Sequence, residues 1–117
     1  IKPTVQHEEL TRRIIAAVYA VHNELGPGFL EKVYENAVLV ELGCLGLSVE
    51  QQVAVPVFYR RQPVGDYVAD LLVENTILLE LKAVETMHPR HEAQVVNYLT
   101  ATGLDIGLRI NFGSRVE

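Results

Sequence analysis

Asp70, Glu80 and Lys82 are the residues most able to do chemistry. Each is a charge set in a stretch that otherwise reads as core, Val68-Ala69-Asp70-Leu71-Leu72-Val73 and Ile77-Leu78-Leu79-Glu80-Leu81-Lys82. Buried charges are costly unless they are paired or bound to a metal. Two carboxylates offer hard oxygen ligands suited to Mg²⁺ or Mn²⁺, and a lysine beside them can orient an attacking water and offset charge developing on a phosphate. Metal-assisted hydrolysis of a phosphodiester is the chemistry such a group would do. The plainer alternative is an internal salt bridge in which Lys82 neutralises Glu80 or Asp70. Two carboxylates for one lysine tilt the balance toward a cation.

These side chains must be positioned by strands. Alternation puts Glu80 and Lys82 on one face of their strand and Leu79 and Leu81 on the other. Asp70 lies opposite Glu80 if the connection is the three-residue loop Glu74-Asn75-Thr76 or contains a bulge; a two-residue loop sends it to the opposite face. The two strands read as 64–73 and 76–84, a hairpin in mid-sheet. Ahead of them, Leu10, Ile14, Ala17, Val18, Val21 and Leu25 recur at three and four residues, the stripe of an amphipathic helix over 7–25 that Gly26-Pro27-Gly28 stops. A second helix is expected from near Phe29 to about Leu42, with Leu30, Val33, Ala37, Val38 and Leu42 inward and Gly43 as its cap. The valine-rich segment 48–59 reads as a strand, bent or at a sheet edge because of Pro56, and Arg60-Arg61-Gln62-Pro63 as a turn. Pro89 suits a helix start, 92–102 a helix ending at Gly103, and 105–112 a last strand. The order α-α-β-β-β-α-β predicts an α/β (α+β) fold with one mixed sheet.

A chain of 117 residues suits a single domain over 1–117, since two cores would each have a marginal number of residues. Hydrophobic residues at 49% and a mean hydropathy of +0.15 exclude a disordered chain. No apolar run approaches the roughly 20 residues of a membrane span. One cysteine, Cys44, rules out an internal disulfide, and no basic start with an apolar middle marks a secretory leader, so the expected compartment is the cytoplasm. The high apolar content also allows a homodimer. A net charge of −5 has the wrong sign for a broad basic surface, so a polyanion would need a local attraction.

Asp70 followed after nine residues by Glu80-Leu81-Lys82 resembles the signature of the PD-(D/E)XK nucleases, with Ala69 where proline is frequent. Gly28-Phe29-Leu30-Glu31-Lys32-Val33-Tyr34 is similar to the defining motif of the GxxExxY branch of that superfamily. Leu25-Gly26-Pro27-Gly28, Gln94 to Leu99 and Asn111-Phe112-Gly113 also look like that branch, so the resemblance covers essentially the whole chain. It implies a restriction-endonuclease-like core and hydrolysis of DNA or RNA with Mg²⁺ or Mn²⁺. Asp70 and Glu80 would hold the ion, and Lys82 would position the water. In related nucleases a glutamate early in a helix completes the site. Glu31 matches the motif, and Glu35, four residues on and on the same helical face, is the alternative ligand. Gln94 and Tyr98 form a Q-x-x-x-Y pair similar to that of RecB-like members. Gln94 would orient Lys82 or the substrate, with His91 and Tyr98 on the same substrate-positioning face. Arg90, Arg60-Arg61 and Arg12-Arg13 are candidates for phosphate contact. Setting the four acids Glu31, Glu35, Asp70 and Glu80 aside leaves a net charge of −1. The competing reading is a non-catalytic nuclease-fold module that binds nucleic acid or a protein partner. Tyr34 reads as a packing residue with a hydrogen-bonded hydroxyl, His22 as structural, and a zinc site at His88 and His91 lacks further ligands.

Overall fold

The structure, a computed structural model, describes residues 5–84 and 106–116. Helix α1 spans Val5–Leu25 and helix α2 Glu31–Cys44. Strands β1 (Val49–Tyr59), β2 (Gln62–Val73), β3 (Ile77–Lys82) and β4 (Ile106–Asn111) form one sheet in the order β1-β2-β3-β4. The β1–β2 and β2–β3 pairs are antiparallel and β3–β4 is parallel, so the sheet is mixed, as expected. The expected helix over 92–102 lies outside the described residues.

The α1 stripe packs as its spacing predicts: Ile14, Ala17, Val18 and Val21 are buried, with Leu10 and Leu25 at the margin of the same cluster. The inward face of α2 is different. Tyr34, Glu35, Val38 and Leu42 are buried, whereas Leu30 is 80% exposed and Val33 is exposed as well. The cause is Tyr34. Its ring stacks on Phe112 of the segment after β4 at 4.5 Å, and its hydroxyl donates to the Gly26 carbonyl while accepting the Phe29 N–H. That anchor replaces Leu30 and Val33 at the start of the face, while Ala37, Val38 and Leu42 face inward as expected. Beneath both helices lie Leu71, Val73, Ile77, Leu79, Leu81 and Ile110, so the odd-numbered positions of β3 face the helices.

The second helix ends later than expected. Gly43 is helical, and Gly46 takes the left-handed φ of +79° instead. Its N–H bonds the Gly43 carbonyl and that of Leu47 bonds the Leu42 carbonyl, the paired arrangement by which a glycine terminates a helix. The Arg60-Arg61 turn is also tighter than expected. Both arginines have positive φ, which matches the twist of a two-residue hairpin, so Gln62 and Pro63 pair with Tyr59 and Phe58 as part of β2. Pro56 sits on β1, the edge strand, where its missing N–H costs no ladder bond.

Candidate active site

The β2–β3 connection settles the relation of the two acids. Val73 pairs with Ile77, so three residues, Glu74, Asn75 and Thr76, form the loop. Glu74 and Asn75 adopt positive φ, the Glu74 N–H bonds the Ser48 carbonyl, and the Thr76 hydroxyl bonds the Glu74 carbonyl. The paired register runs back to Leu71↔Leu79, and one further step in the same register would set Asp70 opposite Glu80. The ladder stops there. The Asp70 carboxylate replaces the missing ladder bond by accepting the Leu81 N–H at 2.8 Å, so it sits in the seam where β2 parts from β3.

Glu80 is 4% exposed, and its Oε1 has no hydrogen-bond partner among the described residues. Burial pushes its carboxyl up to about 8, and the neighbouring Asp70 and, more weakly, Glu31 add to that shift. Lys82 and a hydrogen bond from the Asp70 backbone oppose it. Burial likewise raises Asp70, with Glu35 adding to the shift, while the Leu81 N–H, Gln52 and Lys82 pull it down. These mutual effects place Glu31, Glu35, Asp70, Glu80 and Lys82 in one electrostatic neighbourhood. Lys82 makes no ion pair with Asp70 or Glu80 among the described residues, so an internal bridge does not explain the charges.

The two helical glutamates stand differently. Glu31, in the first turn of α2, is exposed. Glu35 is buried, which by itself would raise its carboxyl. Hydrogen bonds from Lys32, Gln51 and Gln52, with the Lys32 charge, nevertheless hold it below the usual carboxylate range. Lys32 Nζ lies 2.9 Å from Oε2, and Gln52 Nε2 lies 2.9 and 3.0 Å from the two oxygens. With Glu35 drawn to these donors and Glu31 at the surface, no three His, Cys, Asp or Glu side chains among the described residues are grouped to hold an ion unaided.

The donor set is nonetheless compatible with a hard cation. An unpartnered oxygen on a nearly buried carboxyl, beside a second carboxylate, is satisfied by a divalent ion with oxygen-ligand preference. A groove of about 490 Å³ is lined by Pro27 to Leu30, Ala83, Val84 and Phe112 to Ser114, residues that neighbour Glu31 and Lys82 in the chain. Gly113 packs closely at that wall: a Cβ there would meet the Val84 carbonyl at 3.2 Å, a tight contact that a shift of a few tenths of an ångström would have to relieve. Asn111, buried, ties the same strand end together by bonding both the N–H and the carbonyl of Val84.

Gln94, His91, Tyr98 and Arg90 lie outside the described residues. Arg13 is engaged elsewhere, donating to the Leu45 carbonyl at the end of α2, and Arg12 pairs with Glu9 at the surface. His22 contacts the Gly113 carbonyl at 3.0 Å, a structural role as expected. The residues that sequence reading missed are Gln51 and Gln52. The available signal was two adjacent amides in a segment that otherwise alternates.

No curated protein and no solved structure matches the chain. The family model of the PD-(D/E)XK nuclease superfamily matches residues 8–117. The chain therefore belongs to the PD-(D/E)XK nuclease superfamily.

Proposed function

We propose that this chain is a metal-dependent nuclease of the GxxExxY branch, hydrolysing phosphodiester bonds of DNA or RNA. Asp70 and Glu80 hold Mg²⁺ or Mn²⁺, with Glu31 or Glu35 as the ligand from α2. The ion, when bound, supplies Lewis-acid stabilisation of the phosphate and lowers the pKa of a water. Lys82 orients the attacking water and offsets charge on the phosphate, and Gln94 orients Lys82 or the substrate. His91, Tyr98 and Arg90 contribute to the substrate face. Superfamily membership supports nucleic acid as substrate. No helix among the described residues is long and apolar enough to cross a membrane, and the exposed, free Cys44 suits a reducing, cytoplasmic setting.

One observation supports this reading: Oε1 of Glu80, nearly buried near Asp70, has no hydrogen-bond partner among the described residues. The test is cleavage of single- and double-stranded DNA and RNA with Mg²⁺ or Mn²⁺ by pure protein. The expected result is cation-dependent cleavage, reduced at least about 100-fold in Asp70→Asn and Lys82→Ala. No cleavage of any substrate, or undiminished cleavage by both variants, overturns it.

A second reading, a nuclease-fold module that binds nucleic acid or a protein without cutting, draws on the lack of three pre-grouped ligands among the described residues. Calorimetric titration separates the two. A binding module needs no divalent-cation affinity that depends on Glu80.

A further inference from the structure

Gln52 lies in the interior of β1 with φ at +53°. A non-glycine residue enters this left-handed region inside a strand only when its surroundings hold it there. The neighbouring pairs are Gln51↔Leu71 and Val53↔Ala69, which brings Gln52 level with Asp70 at an interruption of the β1–β2 ladder. The backbone distortion has a visible product. Gln52 Nε2 stands 2.9 and 3.0 Å from the two oxygens of Glu35 and 3.4 Å from Asp70 Oδ1.

One neutral donor thus sits among three oxygens of two carboxylates, one from α2 and one from β2. An amide NH₂ has two hydrogens to offer, so it cannot bond all three oxygens well. A divalent cation satisfies such a set of oxygens better and at shorter range. We propose that Gln52 is a latch, a positioning residue that holds Glu35 against Asp70 in the cation-free site and is displaced when a divalent cation takes those carboxylates. This rests on the metal-site reading above. The latch keeps the two acids from separating and competes with the ion for them.

The side chain of Gln52 is exposed overall, so replacing it leaves the core intact. Gln52→Met keeps the length and removes the donors; Gln52→Gly removes the donors and also relaxes the backbone. Calorimetric titration of Mn²⁺ into the full chain should show both variants binding about tenfold more tightly than the wild type, the scale of one lost hydrogen bond to a charged group. In the wild type, Mg²⁺ should also move the side-chain NH₂ resonances of Gln52 and leave those of the exposed Gln62 in place. Equal or weaker Mn²⁺ binding by both variants, with wild-type binding still abolished by Asp70→Asn, removes the latch and leaves the metal site standing. Mn²⁺ binding that is absent throughout, or indifferent to Asp70→Asn, overturns both.

Discussion

The Glu80 carboxyl is raised from 4.5 to about 8 chiefly by burial, and the sign of its effect on stability follows. Between those values the native state keeps a proton that the unfolded chain has released. Its contribution is therefore full below about pH 4.5 and is lost as pH rises toward 8. Asp70, raised in the same sense, adds to that slope at its lower end. Glu35, held low, has the opposite sign: the stability it gives is present above its ordinary value and lost as acid protonates it. Thermal melts with chelator should show a midpoint that falls from pH 5 to 8, and Glu80→Gln, which cannot titrate, should flatten the fall. An equally steep fall in Glu80→Gln rejects the assignment. Divalent-ion affinity should rise over the same interval, because a cation must displace the Glu80 proton. At this scale the sequence made Asp70, Glu80 and Lys82 legible, since a charge inside an apolar run has few innocent explanations. Gln52 was not legible, because its role comes from a backbone distortion and a partner on another element, neither of which residue type reveals.

Elements were readable to the extent that one periodicity decided them. The α1 stripe is the clearest case, four of its six positions being buried as spaced. On α2, Ala37, Val38 and Leu42 face inward as read, but Leu30 and Val33 do not, because Tyr34, an amphipathic ring, out-competed them for the interior through its stack on Phe112, a contact made across the chain. The end of α2 was misread because Gly43 and Gly46 are equally plausible stops, and only the hydrogen bonds of the cap choose between them. That choice predicts opposite mutant effects. Gly46→Ala forces an L side chain to φ +79° and should cost about 1 kcal/mol. Gly43→Ala sits in the helix with nothing within 4 Å of the added carbon and should stabilise by about 0.5–1 kcal/mol. Urea denaturation of both settles the sign, and destabilisation by Gly43→Ala returns the cap to that residue. Phe112→Ala, removing the ring that joins α2 to the end of β4, should cost about 3–5 kcal/mol by the same measurement. A cost under about 1 kcal/mol shows that the stack is not what sets the face of α2.

At the scale of the whole molecule the question is how a chain of net charge −5 approaches a polyanion. Three of the described arginines have partners of their own. Arg13 caps α2, Arg12 pairs with Glu9, and Arg60 lies over the Tyr59 ring at the tip of the β1–β2 hairpin, where Phe58, Tyr59 and Val64 are exposed. With these arginines so engaged, the proposed function assigns the attraction to an ion held at Asp70 and Glu80, alongside the substrate face proposed at His91, Tyr98 and Arg90. On that reading nucleic acid is held through the cation, and few counterions are released on binding. Binding of a fluorescently labelled oligonucleotide, followed by anisotropy, should therefore be weak with chelator and strengthen at least about tenfold with Ca²⁺, an oxygen-seeking ion that fills carboxylate sites. Asp70→Asn should lose that gain. The dependence of log affinity on log salt should be shallow, near −2, because each neutralised phosphate contributes about −0.9 for duplex DNA. A slope steeper than about −5, or strong binding that ignores the cation, means that a basic surface carries the contact after all. The attraction would then be assigned to the arginines, and the acids at the β2–β3 seam would need another explanation.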